Sequence, residues 1–185
     1  SNLCPCKPGE SNSIKQLNFF IHSGIINSYN QARDIPSLES TSTLSAALSL
    51  GTISCRAVWN GAQISKKIAT DEYQTNSIDI WIKELAWREF YQNALFNFPE
   101  LEKGPYRKKW FNFPWGNRTD WFEAWENGFT GIPIIDASMR QLKNSGWMHN
   151  RCRMIVASFL VKDLLIDWRF CLLYTSDAAD EFSCV

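Results

Sequence analysis

No alternating apolar–polar run long enough for a strand occurs in the 185 residues, whereas apolar residues at helical spacing recur along the chain. That pattern confines the chain to an all-α fold. Ile14, Leu17, Phe20, Ile21 and Ile25 follow a helical period between Ser11 and about Ser28. A short helix is expected at about 44–50, stopped by Gly51, and another from near Ser54. Residues 75–97 read as one long helix and 119–127 as a helix stopped by Gly128. Pro133 suits the first position of a helix running to Gly146. From Met154 to Ile166 the chain is apolar almost all the way round, which predicts a buried helix ending at Trp168. Residues 1–10, with Pro5, Pro8 and Gly9, read as a linker, and 29–42 and 98–118 as irregular.

Composition adds limits. The formal net charge is zero, so any basic footprint for a polyanion has to be local. Six cysteines are scattered, and only Cys4 and Cys6 lie close together, so no metal site is expected. No apolar run reaches the ~18 residues of a membrane span, and a reduced, intracellular compartment and a monomer are expected, with no membrane partner.

Three stretches carry candidate chemistry. On the 75–97 helix, Trp81, Glu84, Trp87, Arg88 and Tyr91 fall within an arc of roughly 120°. Such a face is either core, with a Glu84–Arg88 pair along the helix, or a pocket for a flat polar ligand. The hydroxyl run "STSTLS", residues 40–45, precedes a helix start and suits an N-cap, a phosphate seat, or both. The third is "GWMHNRCRM", residues 146–154, where Arg151 and Arg153 crowd a helix N-terminus. That end is already electropositive, so an anion has to sit opposite. His149 reads equally as a hydrogen bonder at the helix start or as a ligand neighbour. Asp136, in the first turn of its helix, reads as structural, and Lys162, Asp163 and Asp167 as a solvated edge.

"YNQARDIP", "TSTLS", "WIKELAWREFY", "AWENGFTGIPIIDASMRQL" and "GWMHNRCRMIVASFLVKDLLIDWR" occur in the order and spacing of the flavin domain of the DNA photolyase/cryptochrome family. The resemblance runs from about residue 8 to 169 and is greatest to class I cyclobutane pyrimidine dimer photolyases. It implies FAD as cofactor, UV-damaged DNA as partner, and light-driven dimer splitting as the reaction. A dimer inside a duplex cannot reach a cofactor, so such an enzyme extrudes it.

Position by position, the resemblance implies that Tyr29, Thr41, Ser42, Thr43, Leu44 and Ser45 hold the FAD phosphates and ribityl chain. Thr43 stands where an arginine is common and Ser40 where a glycine is, so this loop is expected to grip more weakly. Trp81 and Arg88 would wall the flavin, and Arg153 would face it. Glu84, Trp87, Asn150 and Met154 would touch the flipped dimer. Arg33, Glu84, Trp87, Arg88, Asn150 and Arg151 would contact DNA or the lesion. Trp115 and Trp168 would be the outer and middle members of an electron-transfer chain.

After Arg169 the family pattern continues with further flavin contacts, whereas this chain reads "FCLLYTSDAADEFSCV". That tail shows no helical period. Residues 170–185 resemble translated sequencing adapter and are expected to be foreign, leaving 11–169 as part of a FAD- and DNA-binding helical domain. On this reading an antenna-pigment domain precedes the linker in the parent, and the present chain holds FAD poorly. A cryptochrome-type photoreceptor and an inactive truncated product are the alternatives.

Overall fold

A computed structural model describes residues 7–102 and 104–175. The linker reading of 1–10 therefore lies largely outside the described residues, as do Cys4, Cys6 and the tail from 176 onwards. Among the described residues there is no strand. The helices are α1 (Glu10–His22), α2 (Tyr29–Ala32), α3 (Ser45–Ser49), α4 (Cys55–Ile68), α5 (Glu72–Asn97), α6 (Thr119–Asn127), α7 (Pro133–Ser145), α8 (Asn150–Ser158) and α9 (Trp168–Thr175).

They build two apolar cores. Leu17, Phe20, Ile26, Tyr29, Leu44, Val58, Ile78, Trp81 and Leu85 form the first, from α1 to α5. Trp125, Ile135, Met139, Met148, Cys152, Val156, Leu160, Ile166 and Cys171 form the second, from α6 to α9. The helix pairs that pack most extensively, such as α4 on α5 and α7 on α8, each lie within one half. In the first half, Lys66 pairs with Asp79 at 2.6 and 2.8 Å across α4 and α5, and the buried Ser77 hydroxyl donates to the Ile26 carbonyl at 2.8 Å. In the second, the fully buried Trp125 donates its indole N–H to the Val156 carbonyl at 3.0 Å, so its one polar atom is satisfied.

Helix ends follow local chemistry. Asp71 caps α5 by accepting from the Gln74 amide at 2.7 Å, and Ser54 caps α4 by accepting from Ala57 at 3.1 Å. Gly128 and Gly146 close α6 and α7 in the left-handed conformation, with φ of 67° and 69°.

The structure departs from the sequence reading in several places, beginning with α2, which occupies the start of the 29–42 stretch read as irregular. The helix from residue 11 stops at His22 because Gly24, at φ 78°, turns the chain into a 3-10 turn over Ile25–Ser28. The expected buried helix to Trp168 ends as an α-helix at Ser158 and widens into a π turn over Phe159–Asp163. Leu165 at φ 51° then breaks it, so Trp168 opens α9 instead of ending the preceding helix. Residues 170–175 continue that helix, with Cys171 buried. Asp167, expected in solvent, is buried because it accepts from the Arg169 amide at the start of α9 and pairs with the Arg169 guanidinium. Burial pushes its carboxyl up, but those Arg169 contacts outweigh burial and hold it below the usual carboxylate range.

The irregular 98–118 segment joins the halves and is pinned to the second. The Gly116 amide donates to Leu165 O at 2.8 Å, and the Asn117 side chain accepts from the Asp167 amide at 2.9 Å.

Candidate functional site

The site is assembled from the C-terminal end of α2, the outward face of α5 and the N-terminus of α8. Arg33 directs Nη1 to Glu84 Oε1 at 2.5 Å. Asp34 Oδ1 lies 3.8 Å from Arg33 Nε, and accepts from Arg151 Nε at 3.2 Å and Nη2 at 2.5 Å. Glu84, Arg33, Asp34 and Arg151 thus alternate in sign from α5 across to α8, joining the two halves. Asp34 is the anion that the α8 N-terminus required for Arg151. Arg153 instead donates Nε to the Met148 carbonyl at 3.3 Å.

The predicted α5 face divides. Trp81, 4 % exposed, belongs to the first core, with its ring 4.9 Å from Phe20. Trp87, 52 % exposed, stands out from the surface, stacked on Tyr91 at 5.9 Å with Phe90 edge-on at 5.6 Å. Glu84 and Arg88 do not pair with each other. Glu84 is taken by Arg33, while Arg88 reaches Glu89 and Gln92 at 3.2 and 3.1 Å and donates to the Leu48 carbonyl near the end of α3 at 3.3 Å.

The hydroxyl loop does not cap α3, whose cap position is Leu44 with no side-chain hydrogen bond. The reason is packing: Leu44 is buried in the first core, and the hydroxyls before it turn to other partners. Ser40 donates to Ala32 O at 2.8 Å, Thr43 to Ser42 O at 2.8 Å, and Gln16 of α1 donates to Thr43 Oγ1 at 2.9 Å. Thr43 is left-handed at φ 50°, uncommon for a β-branched residue. Thr41, Ser42 and Ser45 stay half-buried beside it. Tyr29 is buried, edge-on to Phe20 at 6.2 Å, with the Arg33 guanidinium 5.3 Å over its ring.

At α8, Asn150 and Met154 are exposed. His149 is buried and caps the helix, its Nδ1 accepting from the Arg151 amide at 3.1 Å. The neutral ring therefore carries its proton on Nε2, which has no hydrogen-bond partner among the described residues. Burial pushes its pKa below the usual histidine range, Asp34 pulls it back up and Arg151 lowers it.

Trp115 and Trp168 are both half-buried. The segments that carry them meet through the Asn117–Asp167 hydrogen bond, and Trp115 packs on Phe113 with centroids 4.5 Å apart.

Two cavities, of about 250 and 200 Å³, lie elsewhere, lined by residues such as Ile21, Ile68 and Gln74, and Trp121, Phe129 and Phe159. Neither is lined by a residue expected to hold a flavin. Among the described residues no group of three or more His, Cys, Asp or Glu could hold a metal ion, and no helix is long and apolar enough to cross a membrane. Sequence reasoning missed Asp34. Its signals were adjacency to Arg33 and the unbalanced charge at the α8 N-terminus.

The family model for the FAD binding domain of DNA photolyase matches residues 81–179. Deoxyribodipyrimidine photo-lyase of a Synechococcus species is 51% identical over 165 residues, covering 89% of this chain and 34% of that protein. The Agrobacterium fabrum protein of the same name is 46% identical, with 88% and 33% covered. The crystal structure of a class III photolyase from Agrobacterium tumefaciens superimposes with a TM-score of 0.83 at 45% identity, over 92% of this chain and 34% of that one. A Synechocystis cryptochrome superimposes at 0.82 with 30% identity, over 98% and 38%. The chain spans about a third of the length of the relatives it matches. Matched over more than half of its residues, the chain belongs to the family of FAD-binding domains of DNA photolyases.

Proposed function

We propose that this chain is part of a protein that carries out the light-driven repair of cyclobutane pyrimidine dimers in DNA, with FAD as cofactor, and that the chain alone holds FAD poorly. The observation that supports the reading is the charged chain Glu84–Arg33–Asp34–Arg151, with the exposed Trp87 about one helical turn from Glu84 on α5, so that guanidinium groups, a carboxylate and a flat ring are offered together. Glu84 would hydrogen-bond the extruded dimer while Trp87 stacks on it, with Asn150 and Met154 lining the same side. Arg33 and Arg151, and Arg88 more distantly, would hold the flanking phosphates.

The donor set fits FAD by chemistry. The half-buried hydroxyls of Thr41, Ser42, Thr43 and Ser45 suit phosphates and a polyol chain, Tyr29 and Leu44 would back them, and Trp81, Arg88 and Arg153 would bound the ring. When bound, the flavin supplies the photoexcited electron that splits the dimer and then takes it back. The protein's share is to place the lesion, exclude water and, through Trp115 and Trp168, offer an oxidisable path to the surface. The site takes no metal, and the parent's antenna pigment would belong to another domain. We place the protein inside the cell, acting as a monomer.

The test is binding of the chain to a duplex carrying one thymine dimer against the same duplex undamaged. Trp87→Ala and Glu84→Ala should each remove most of the preference, Trp87→Ala by roughly 5- to 150-fold for a lost stack of ~1–3 kcal/mol. Equal affinity for both duplexes, with flavin bound by absorbance, would instead support a photoreceptor, the reading favoured by the likeness to the Synechocystis cryptochrome.

A further inference from the structure

The geometry points to Asp34 as a residue that sets the discrimination between damaged and undamaged DNA, an inference that rests on the repair reading above. One carboxylate oxygen of Asp34 takes both Nε and Nη2 of Arg151, at 3.2 and 2.5 Å, and lies 3.8 Å from Nε of Arg33. The side chain is nevertheless 52% exposed. An ion pair this open to water adds little to stability, so holding the fold is a weak use for it. Its position between the arginines of two different halves gives it a stronger one.

Guanidinium groups attract the phosphates of any DNA, whatever its sequence or damage. Arg33 keeps Glu84 as a counter-charge, but Arg151 without Asp34 would hold intact duplex almost as well as a lesion. Asp34 cancels part of that long-range attraction. It also fixes Arg151, which spends Nε and Nη2 on the carboxylate and keeps Nη1 and the outer N–H groups for a ligand. The remaining affinity has to come from short-range contacts, which only an extruded dimer makes, against Trp87 and Glu84. Asp34 thus subtracts from binding in general and leaves specific binding in place. It touches no reacting atom in this scheme and acts through the two arginines.

The experiment is fluorescence anisotropy of the full 185-residue chain with dimer-containing and undamaged duplexes over a range of salt. Asp34→Asn should tighten binding to the undamaged duplex by about 3- to 10-fold and steepen the plot of log affinity against log salt by roughly one, as one further phosphate contact does. Preference for the dimer should fall by the same factor. Asp34→Glu, which keeps the charge, should retain the preference of the parent chain. Asp34→Ser is read in the same way as Asp34→Asn should the latter fail to fold. A lower melting temperature with an unchanged salt slope and unchanged preference means a structural residue only, and overturns the inference. If the unsubstituted chain does not distinguish the duplexes, the repair reading falls and this inference with it. If it does and Asp34→Asn matches it, the inference alone falls.

Discussion

Asp136 and His149 make opposite use of burial. Asp136 accepts from the Thr130 amide and hydroxyl at 2.8 and 2.6 Å and from the Gly131 amide at 3.0 Å, tying the turn before α7 to its first turns. Burial pushes its carboxyl up, but those hydrogen bonds and the charge of Arg140 outweigh burial and hold it below the usual range. A depressed folded-state pKa contributes stability that is present above the unfolded value of about 3.9 and lost as pH falls through the folded one. Asp136→Asn should therefore cost roughly 1.5–3 kcal/mol at pH 7 and flatten the loss below pH ~4, read from urea midpoints across pH. His149 is a base kept neutral, so its lowered pKa has the reverse chemistry and the same sign. Its contribution is complete above the unfolded value of about 6.5 and declines below it, as the unfolded chain takes up the proton first. Protonating Nδ1 also removes the cap on Arg151. In His149→Asn, which keeps a capping acceptor, the difference in urea midpoint between pH 7.5 and pH 5 should shrink. A sequence shows that these residues are near helix starts. It does not show which is buried, since burial is decided by what the rest of the chain packs against them.

At the scale of elements, the stop signals were the most legible part of the chain. Gly128, Pro133 and Gly146 placed the ends of α6 and α7 because each acts through its own backbone. The two glycines are not equivalent, however. A side chain at Gly128 would lie 2.8 Å from the Asp136 carbonyl, whereas one at Gly146 would meet nothing within 4 Å. Gly146→Ala should cost only the left-handed backbone, about 1–3 kcal/mol, and Gly128→Ala distinctly more, measured as shifts in denaturant midpoint. The π turn at Phe159–Asp163 was not legible, since an apolar run has the same composition whether its hydrogen bonds close at four residues or five. Nor was the division of the α5 face. Helical spacing grouped Trp81 with Trp87, but packing against the first core, Phe20 of α1 included, covers the first, whereas the second is left half exposed beside Phe90 and Tyr91 of its own helix. The hydroxyl loop misled because Leu44, an apolar residue, took the cap position to fill the core.

For the whole molecule, the consequence of two cores is partial independence. Met139 is fully buried in the second core, and Met139→Ala should cost about 2–5 kcal/mol there. Hydrogen exchange should report that loss in amides of α6, α7 and α8, with protection in α1, α4 and α5 little changed. Uniform loss across both halves would show that the Asp34–Arg151 pair and the 98–118 segment couple them more tightly than their packing implies. The core lists carry one more consequence, in time instead of space. Residues of the first core run from Leu17 to Leu85 and those of the second from Trp125 to Cys171, so neither core waits for a distant part of the chain. Contacts so local favour fast folding, and domains that close early do so during synthesis. A ribosome-stalled chain that has exposed α5 should already resist protease over α1 to α5, with Asn150, Arg151 and Met154 of α8 arriving later onto a finished surface.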